Sequence, residues 1–267
     1  MTSLAVHVSD GITITKRNLT KLKRVPDLIV FATLSPIMFV LLFVYVFGSA
    51  IPIKGISYAE FLLPGIFVQT VFFGSTVTGS SLAEDLQKGL IDRFRSLPMA
   101  HSAVLVGRTV ADIGLNIVSV VVMSLTGLLV GWRVHTSFPK ALAGFLLLLL
   151  FSFSISWVMA LLGLLVRTPE VFNNASFIVI FPVTFIANTF VPTSGFPSVL
   201  KVIADWNPVS SVTQAIRNLF GNTSSALPIS DAWPIGHPVT YTMIWIVILL
   251  GVFVPLSIRQ FLRCALR

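Results

Sequence analysis

Residues 141–166 read ALAGFLLLLLFSFSISWVMALLGLLV, a run without one ionisable side chain. Crossing about 30 Å of hydrocarbon takes about 20 helical residues at about 1.5 Å each, so this stretch is long enough to span a bilayer. Alternation at the length of a barrel strand is absent, and a lipid-exposed backbone must satisfy its own hydrogen bonds, which leaves the helix. Outward from it lie five similar runs, 28–47, 61–82, 110–130, 171–191 and 239–258. Of the six, only 110–130 holds an ionisable group, Asp112. The sequence therefore predicts an all-α membrane protein with a bundle of six transmembrane helices over 28–258. Composition agrees: 55% of the 267 residues are hydrophobic and 10% charged, against about 25% charged in ordinary globular chains. Disordered chains carry still fewer apolar groups. The single cysteine, Cys264, excludes an internal disulfide framework and a multi-cysteine metal site.

Six spans put both termini on one side. With them lie the connections 83–109 and 167–170, and together these segments hold 13 of the 18 Lys and Arg; Lys54, Arg133, Lys140, Lys201 and Arg217 make up the other five. Cytoplasmic segments hold the Lys/Arg excess, so both termini face the cytoplasm. Tyr45, Tyr58, Trp132, Trp206, Trp233, Tyr241 and Trp245 fall toward the opposite interface, as aromatic anchors do. Residues 1–27 read as a cytoplasmic amphipathic segment lying in the interface, with Ile12, Thr15, Leu19 and Leu22 at helical spacing and Arg17, Lys21 and Arg24 largely facing away. A disordered basic tail held by anionic lipid is the alternative. A cleaved secretory signal is the weaker reading, because its apolar core would be about 7 to 15 residues long and close to the start, whereas the first apolar run here spans 20 residues, 28–47. Residues 259–267 form a cytoplasmic tail.

Two connections are long. In 83–109, Leu86, Leu90, Ile91, Phe94 and Leu97 recur at steps of three and four, with Glu84, Asp85, Lys88, Asp92, Arg93 and Arg95 between them, and Pro98 ends the pattern. That is a short amphipathic helix lying across the ends of spans two and three, and its charges of both signs suit a protein partner better than lipid. A solvated connector is the alternative. In 192–238 two apolar stretches too short to span, 196–204 and 209–219, are broken at Asp205-Trp206-Asn207-Pro208. They read as outer re-entrant half-helices or as a pair of interfacial helices.

Polar groups inside the spans, among them Gln69, Thr70, Thr76, Asn173, Asn174 and Asn188, would face protein or a cavity and are the candidates for a substrate path. Helix-to-helix hydrogen bonding is their other reading. Asp112, four residues beyond Arg108, is expected to pair with it. No catalytic constellation is present: there is no His-Glu-x-x-His, no Gly-x-Ser-x-Gly, no pair of intramembrane acids and no P-loop, and His7, His101, His135 and His237 are scattered through tails and connections. An ion-coupled carrier would need ionisable groups near mid-membrane and a pore would need a filter, so a translocation subunit energised from elsewhere remains.

Phe61-Leu62-Leu63-Pro64-Gly65-Ile66, then Leu82-Ala83-Glu84-Asp85, Lys88-Gly89, Asp92-Arg93-Phe94-Arg95-Ser96-Leu97-Pro98-Met99 and Gly107-Arg108, resemble the membrane subunit of ABC-2 type exporters, closest to the daunorubicin and doxorubicin resistance branch. The resemblance covers nearly the whole chain, including Trp206-Asn207-Pro208-Val209. It implies a half-transporter in the bacterial plasma membrane, made of two permease chains, identical or sisters, and two separately encoded ABC ATPase subunits. It implies that Glu84, Asp85, Lys88, Gly89, Asp92, Arg93, Phe94, Arg95, Leu97 and Pro98 form the coupling helix that seats on the ATPase. Spans one and five would meet across the dimer and border the route. Cargo would be amphipathic drugs, antibiotics or lipids, with membrane lipid around the bundle and no nucleic acid. The chain would bind no cofactor itself; ATP and Mg2+ would sit on the partner. Export of polysaccharide or glycolipid, and a membrane enzyme or scaffold without transport, are the alternatives.

Overall fold

The computed structural model describes residues 26–48, 50–51, 53–89, 101–224, 226 and 230–264; every regular element among them is helical. Helix α1 (Pro26–Leu42) continues through a π-helical turn, Phe43–Phe47. Helix α2 (Tyr58–Gly74) starts at a capping box in which Ser57 Oγ accepts from the Glu60 N–H while the Ser57 N–H donates to Glu60 Oε2. It runs into α3 (Thr76–Gln87) across Ser75, whose hydroxyl donates to the Val71 carbonyl at 2.8 Å. The pair forms one apolar rod, Tyr58–Gln87.

Helix α4 (His101–Leu129) and helix α5 (Phe138–Leu165) follow, joined by a turn in which Gly131 has φ +95°, a conformation that side chains with a Cβ rarely adopt. Helix α6 (Pro169–Phe185) opens on Thr168, whose side chain accepts from the Val171 N–H. Two short helices come next, α7 (Ser198–Trp206) and α8 (Pro208–Phe220), then the single turn α9 (Trp233–Gly236) and the long α10 (Pro238–Cys264). Among the described residues four helices are long and apolar enough to cross a membrane: Tyr58–Gln87, Leu105–Leu129, Phe138–Leu165 and Pro238–Arg263.

Helix α5 is the hub, packed against α10, α3, α8 and α4, while α6 rests mainly on α3, and α1 on α4 and α2. Small residues let the hub close up. A Cβ on Gly163 of α5 would lie 2.3 Å from the Gly79 carbonyl oxygen of α3, so the two backbones are in contact there. Polar side chains seal the same seam. Asn116 of α4 donates to Ser152 Oγ of α5 at 2.8 Å, and Ser75 Oγ donates to the Ser152 carbonyl at 3.2 Å. The main apolar core runs along α2, with Leu62, Leu63, Phe67, Val68 and Val71 wholly buried.

The outline matches the sequence reading at the level of an all-helical chain with apolar membrane-length helices, and three boundaries differ. The rod does not stop at Leu82: Ala83, Glu84, Leu86 and Gln87 are good helix formers and extend it to Gln87, until Gly89 at φ +64° ends it. Helix α4 already begins at His101, inside the expected connection. Helix α6 ends at Phe185 rather than Val191, three residues after Pro182, where Asn207 Nδ2 donates to the Val183 and Ile186 carbonyls, both at 2.7 Å. The N-terminal amphipathic segment up to Val25 lies outside the described residues, as do Leu90 to Ala100.

Candidate functional site

At the Gln87 end of the rod, Lys88 Nζ pairs with Glu84 on the exposed surface. The Glu84 carboxylate, through its hydrogen bond and its charge, raises the Lys88 ammonium above its usual range. Asp85 turns the other way. Arg108 Nη1 of α4 donates to Asp85 Oδ2 at 2.7 Å, with both side chains largely buried. Gly89 closes the turn in open space. The expected Arg108–Asp112 pair is therefore replaced: Arg108 reaches across to α3, while the buried Asp112 carboxylate accepts from Thr78 and, at 3.5 Å, from Ser156. Helical spacing places two groups on one face, but the neighbouring helix offered each a closer partner. Of the coupling candidates, Asp92, Arg93, Phe94, Arg95, Leu97 and Pro98 lie outside the described residues.

Midway along the bundle α1, α2, α3, α4 and α6 border a partly open cavity of about 410 Å³, on whose outer side Phe177 and Phe181 remain 56% and 42% exposed. Its apolar wall carries Phe39, Phe73, Phe177, Phe181 and Phe185. Phe177, Phe181 and Phe185 follow each other at i, i+4 and i+8, stacked with ring centroids 5.5 and 4.1 Å apart. Ser35, Gln69, Thr70, Thr76 and Ser119 supply the polar groups, and among the described residues no charged side chain lines the space. Thr70 Oγ1 is buried and has no hydrogen-bond partner among the described residues. Thr76, by contrast, donates to the Phe73 carbonyl at 2.6 Å. Such a chamber suits an uncharged or charge-shielded amphipathic molecule with one hydrogen-bonding edge.

Three of the six path candidates, Gln69, Thr70 and Thr76, thus meet at one cavity. Asn173 and Asn174 do not; they are exposed on α6. Asn188 sits elsewhere, its side chain 3.4 Å from Gln214 and its carbonyl held by Arg217. Sequence reasoning missed Ser35, Ser119 and the phenylalanine ladder, although the four-residue spacing of 177, 181 and 185 was visible. It also counted Arg217 with the basic residues of the outer connections and gave it no partner or role. Arg217 is buried at 2% exposure, and the available signal was a lone ionisable group within the apolar stretch 209–219.

The sequence model of the ABC-2 type transporter family matches residues 11–220. The chain is 34% identical over 257 residues to the daunorubicin resistance ABC transporter permease protein DrrB1 of Streptomyces coeruleorubidus, covering 96% of this chain and 87% of that protein. It is also similar to the ycf38 proteins of Cyanophora paradoxa, at 27% identity over 78% of this chain and 73% of the relative. For Porphyra purpurea the figures are 24% identity, 75% and 70%.

Proposed function

The chain belongs to the ABC-2 type transporter family, and from that premise we propose that it is the membrane permease subunit of an ATP-driven exporter moving amphipathic drugs, antibiotics or lipids outward across the bacterial plasma membrane. The observation that carries the reading is the cavity of about 410 Å³ bordered by five phenylalanines and a short polar edge. Its volume falls within the about 300–1,000 Å³ of small-molecule sites, and its lining, apolar with a few convergent polar groups, has their chemistry. A hydrated glycan would leave hydroxyls unpaired along the phenylalanine wall, which ranks polysaccharide export second.

In this reading α1 and α6 join the four longer helices as spans one and five, and both termini lie in the cytoplasm. ATP and Mg2+ act on two partner ATPase subunits that dock at the segment from Glu84 to Pro98, and a second permease chain, identical or a sister, completes the route. Glu84 and Lys88 are the exposed charges at the start of that segment. Gln69, Thr70 and Thr76 then contact cargo within the cavity.

The test is a reconstituted complex of this permease with its ATPase, assayed for ATP hydrolysis stimulated by an anthracycline-like drug. Thr70→Phe, which removes the polar edge and projects a ring into the cavity, should sharply reduce drug stimulation while leaving basal hydrolysis and complex formation unchanged. Phe181→Ala should weaken stimulation about tenfold or more, since losing an aromatic contact removes about 1–3 kcal/mol of binding. Unaltered drug stimulation in both variants would remove the cavity from the transport route.

A further inference from the structure

Arg217 of α8 lies near the start of α2, at the end of the rod remote from Glu84. Its Nε donates to the Phe61 carbonyl at 2.9 Å, and Nη2 reaches the carbonyls of Asn188 at 2.7 Å and Thr189 at 3.3 Å. The Phe61 ring lies 3.7 Å from the guanidinium carbon. Nη1 makes no hydrogen bond among the described residues, and none of their carboxylates forms an ion pair with Arg217. Glu60 is engaged by His135 at 2.5 Å, and Asp205 accepts from Thr193 at 3.3 Å and Ser230 at 2.5 Å. A guanidinium stays protonated, so this is a buried cation balanced only by carbonyl dipoles and a ring face, an arrangement that calls for a negative partner.

Beside it is a pocket of about 50 Å³, separate from the phenylalanine chamber, lined by Arg217, Asn188, Gln214, Asn222, Thr223 and Ser224 among others. One water needs about 10–15 Å³ by this measure, so the space accommodates a group equal to about three or four waters, the size of a tetrahedral oxyanion. A second feature narrows its chemistry. Asn188 borders the pocket, and its Oδ1 is buried with no hydrogen-bond partner among the described residues. An acceptor left unpaired beside an uncompensated cation fits a ligand that brings negative oxygens together with one O–H. Inorganic phosphate keeps at least one P–OH throughout the neutral range, and a phosphomonoester keeps its P–OH in the singly protonated form that prevails below its second pKa of about 6, whereas sulfate and chloride carry no proton to donate. We infer that this pocket binds a phosphate group, with Arg217 holding its charged oxygens and Asn188 Oδ1 accepting from its P–OH. Free phosphate and the monoester headgroup of a lipid such as phosphatidic acid share that chemistry.

The experiment is thermal unfolding of the full-length chain in detergent, titrated with inorganic phosphate at constant ionic strength and compared with sulfate and chloride. Phosphate at tenfold excess over its Kd should raise the midpoint by about 3–5 °C, well above the other two salts. Asn188→Asp places a carboxylate beside Arg217, so this variant should be more stable than the parent without phosphate and should no longer respond to it. Asn188→Leu removes the acceptor and should level phosphate with sulfate. In nanodiscs of phosphatidylcholine, adding phosphatidic acid should suppress the phosphate response if a lipid headgroup is the occupant, and leave it intact if the free anion is. Equal responses to all three salts with no effect of phosphatidic acid, or an Asn188→Asp variant that responds like the parent, would overturn the assignment. No transport is measured, so this result stands apart from the exporter reading.

Discussion

At 2.7 Å, the Arg108–Asp85 contact fastens the last turns of α3 to α4, and its side chains are only 11% and 15% exposed. Breaking a pair this sheltered leaves a charge without its partner, and with some allowance for residual solvent the cost is about 2–4 kcal/mol. Asp85→Arg and Arg108→Asp should each lower the yield of folded protein, and the exchanged double variant should recover most of it, as read by size-exclusion profile and unfolding midpoint. Glu84 and Lys88, one residue before Asp85 and three after it, behave differently because their pair lies on the surface, where such contacts contribute about 0–1 kcal/mol. Glu84→Lys and Lys88→Glu should leave folded yield near that of the parent while co-purification with the ATPase falls. Equal losses of fold in the two sets would mean that both pairs serve the bundle alone. Sequence spacing suggested neither outcome. It set Arg108 beside Asp112 on one helix, and only the tertiary arrangement shows that Asp85 comes closer while Asp112 turns inward to Thr78 and Ser156.

Helix packing depends on a few positions where no side chain fits. A Cβ on Gly163 would stand 2.3 Å from the Gly79 carbonyl oxygen and 2.7 Å from its Cα, atoms of backbone that cannot rotate aside. Gly163→Val should force α3 and α5 apart, at about 1–3 kcal/mol or more for overpacking, and lower the unfolding midpoint by several degrees. Gly251→Ala is the control: nothing lies within 4 Å of the added carbon, and in the interior of α10 alanine is the better helix former. Comparable destabilisation by the two would show that backbone flexibility, not close approach, governs the seam. The elements themselves were largely legible, because a helix of membrane length announces itself as an unbroken apolar run. The break between α7 and α8 was equally plain in Asp205-Trp206-Asn207-Pro208. The end of α6 was hidden, since the Asn207 amide that binds its last carbonyls arrives from more than twenty residues downstream.

For the whole molecule, apolar length indicates a membrane protein but does not say which end faces the cytoplasm; the distribution of charge is what bears on that proposal. In the six-span reading 13 basic residues accompany the two termini and five lie opposite; of those five Arg217 is buried, Lys201 is half-buried, and Lys54, Arg133 and Lys140 are exposed. The four long helices and the cavity follow from tertiary packing whatever the orientation, so topology has its own test. Ser137 and Thr223 are exposed at the end of the bundle where α4 turns into α5, and neither side chain makes a hydrogen bond among the described residues. Cysteines at these two positions, in a chain with Cys264 replaced, should react with a membrane-impermeant thiol reagent added to intact cells. A cysteine at Ser96, in the basic segment after the rod, should react only after the cells are opened. Each variant alters a polar side chain outside the apolar spans, so expression should match the parent and the labelling pattern reports sidedness rather than misfolding. Labelling of Ser96→Cys in intact cells, with Ser137→Cys and Thr223→Cys protected, would invert the orientation and move the Glu84–Lys88 turn to the outer face, where no cytoplasmic ATPase could reach it.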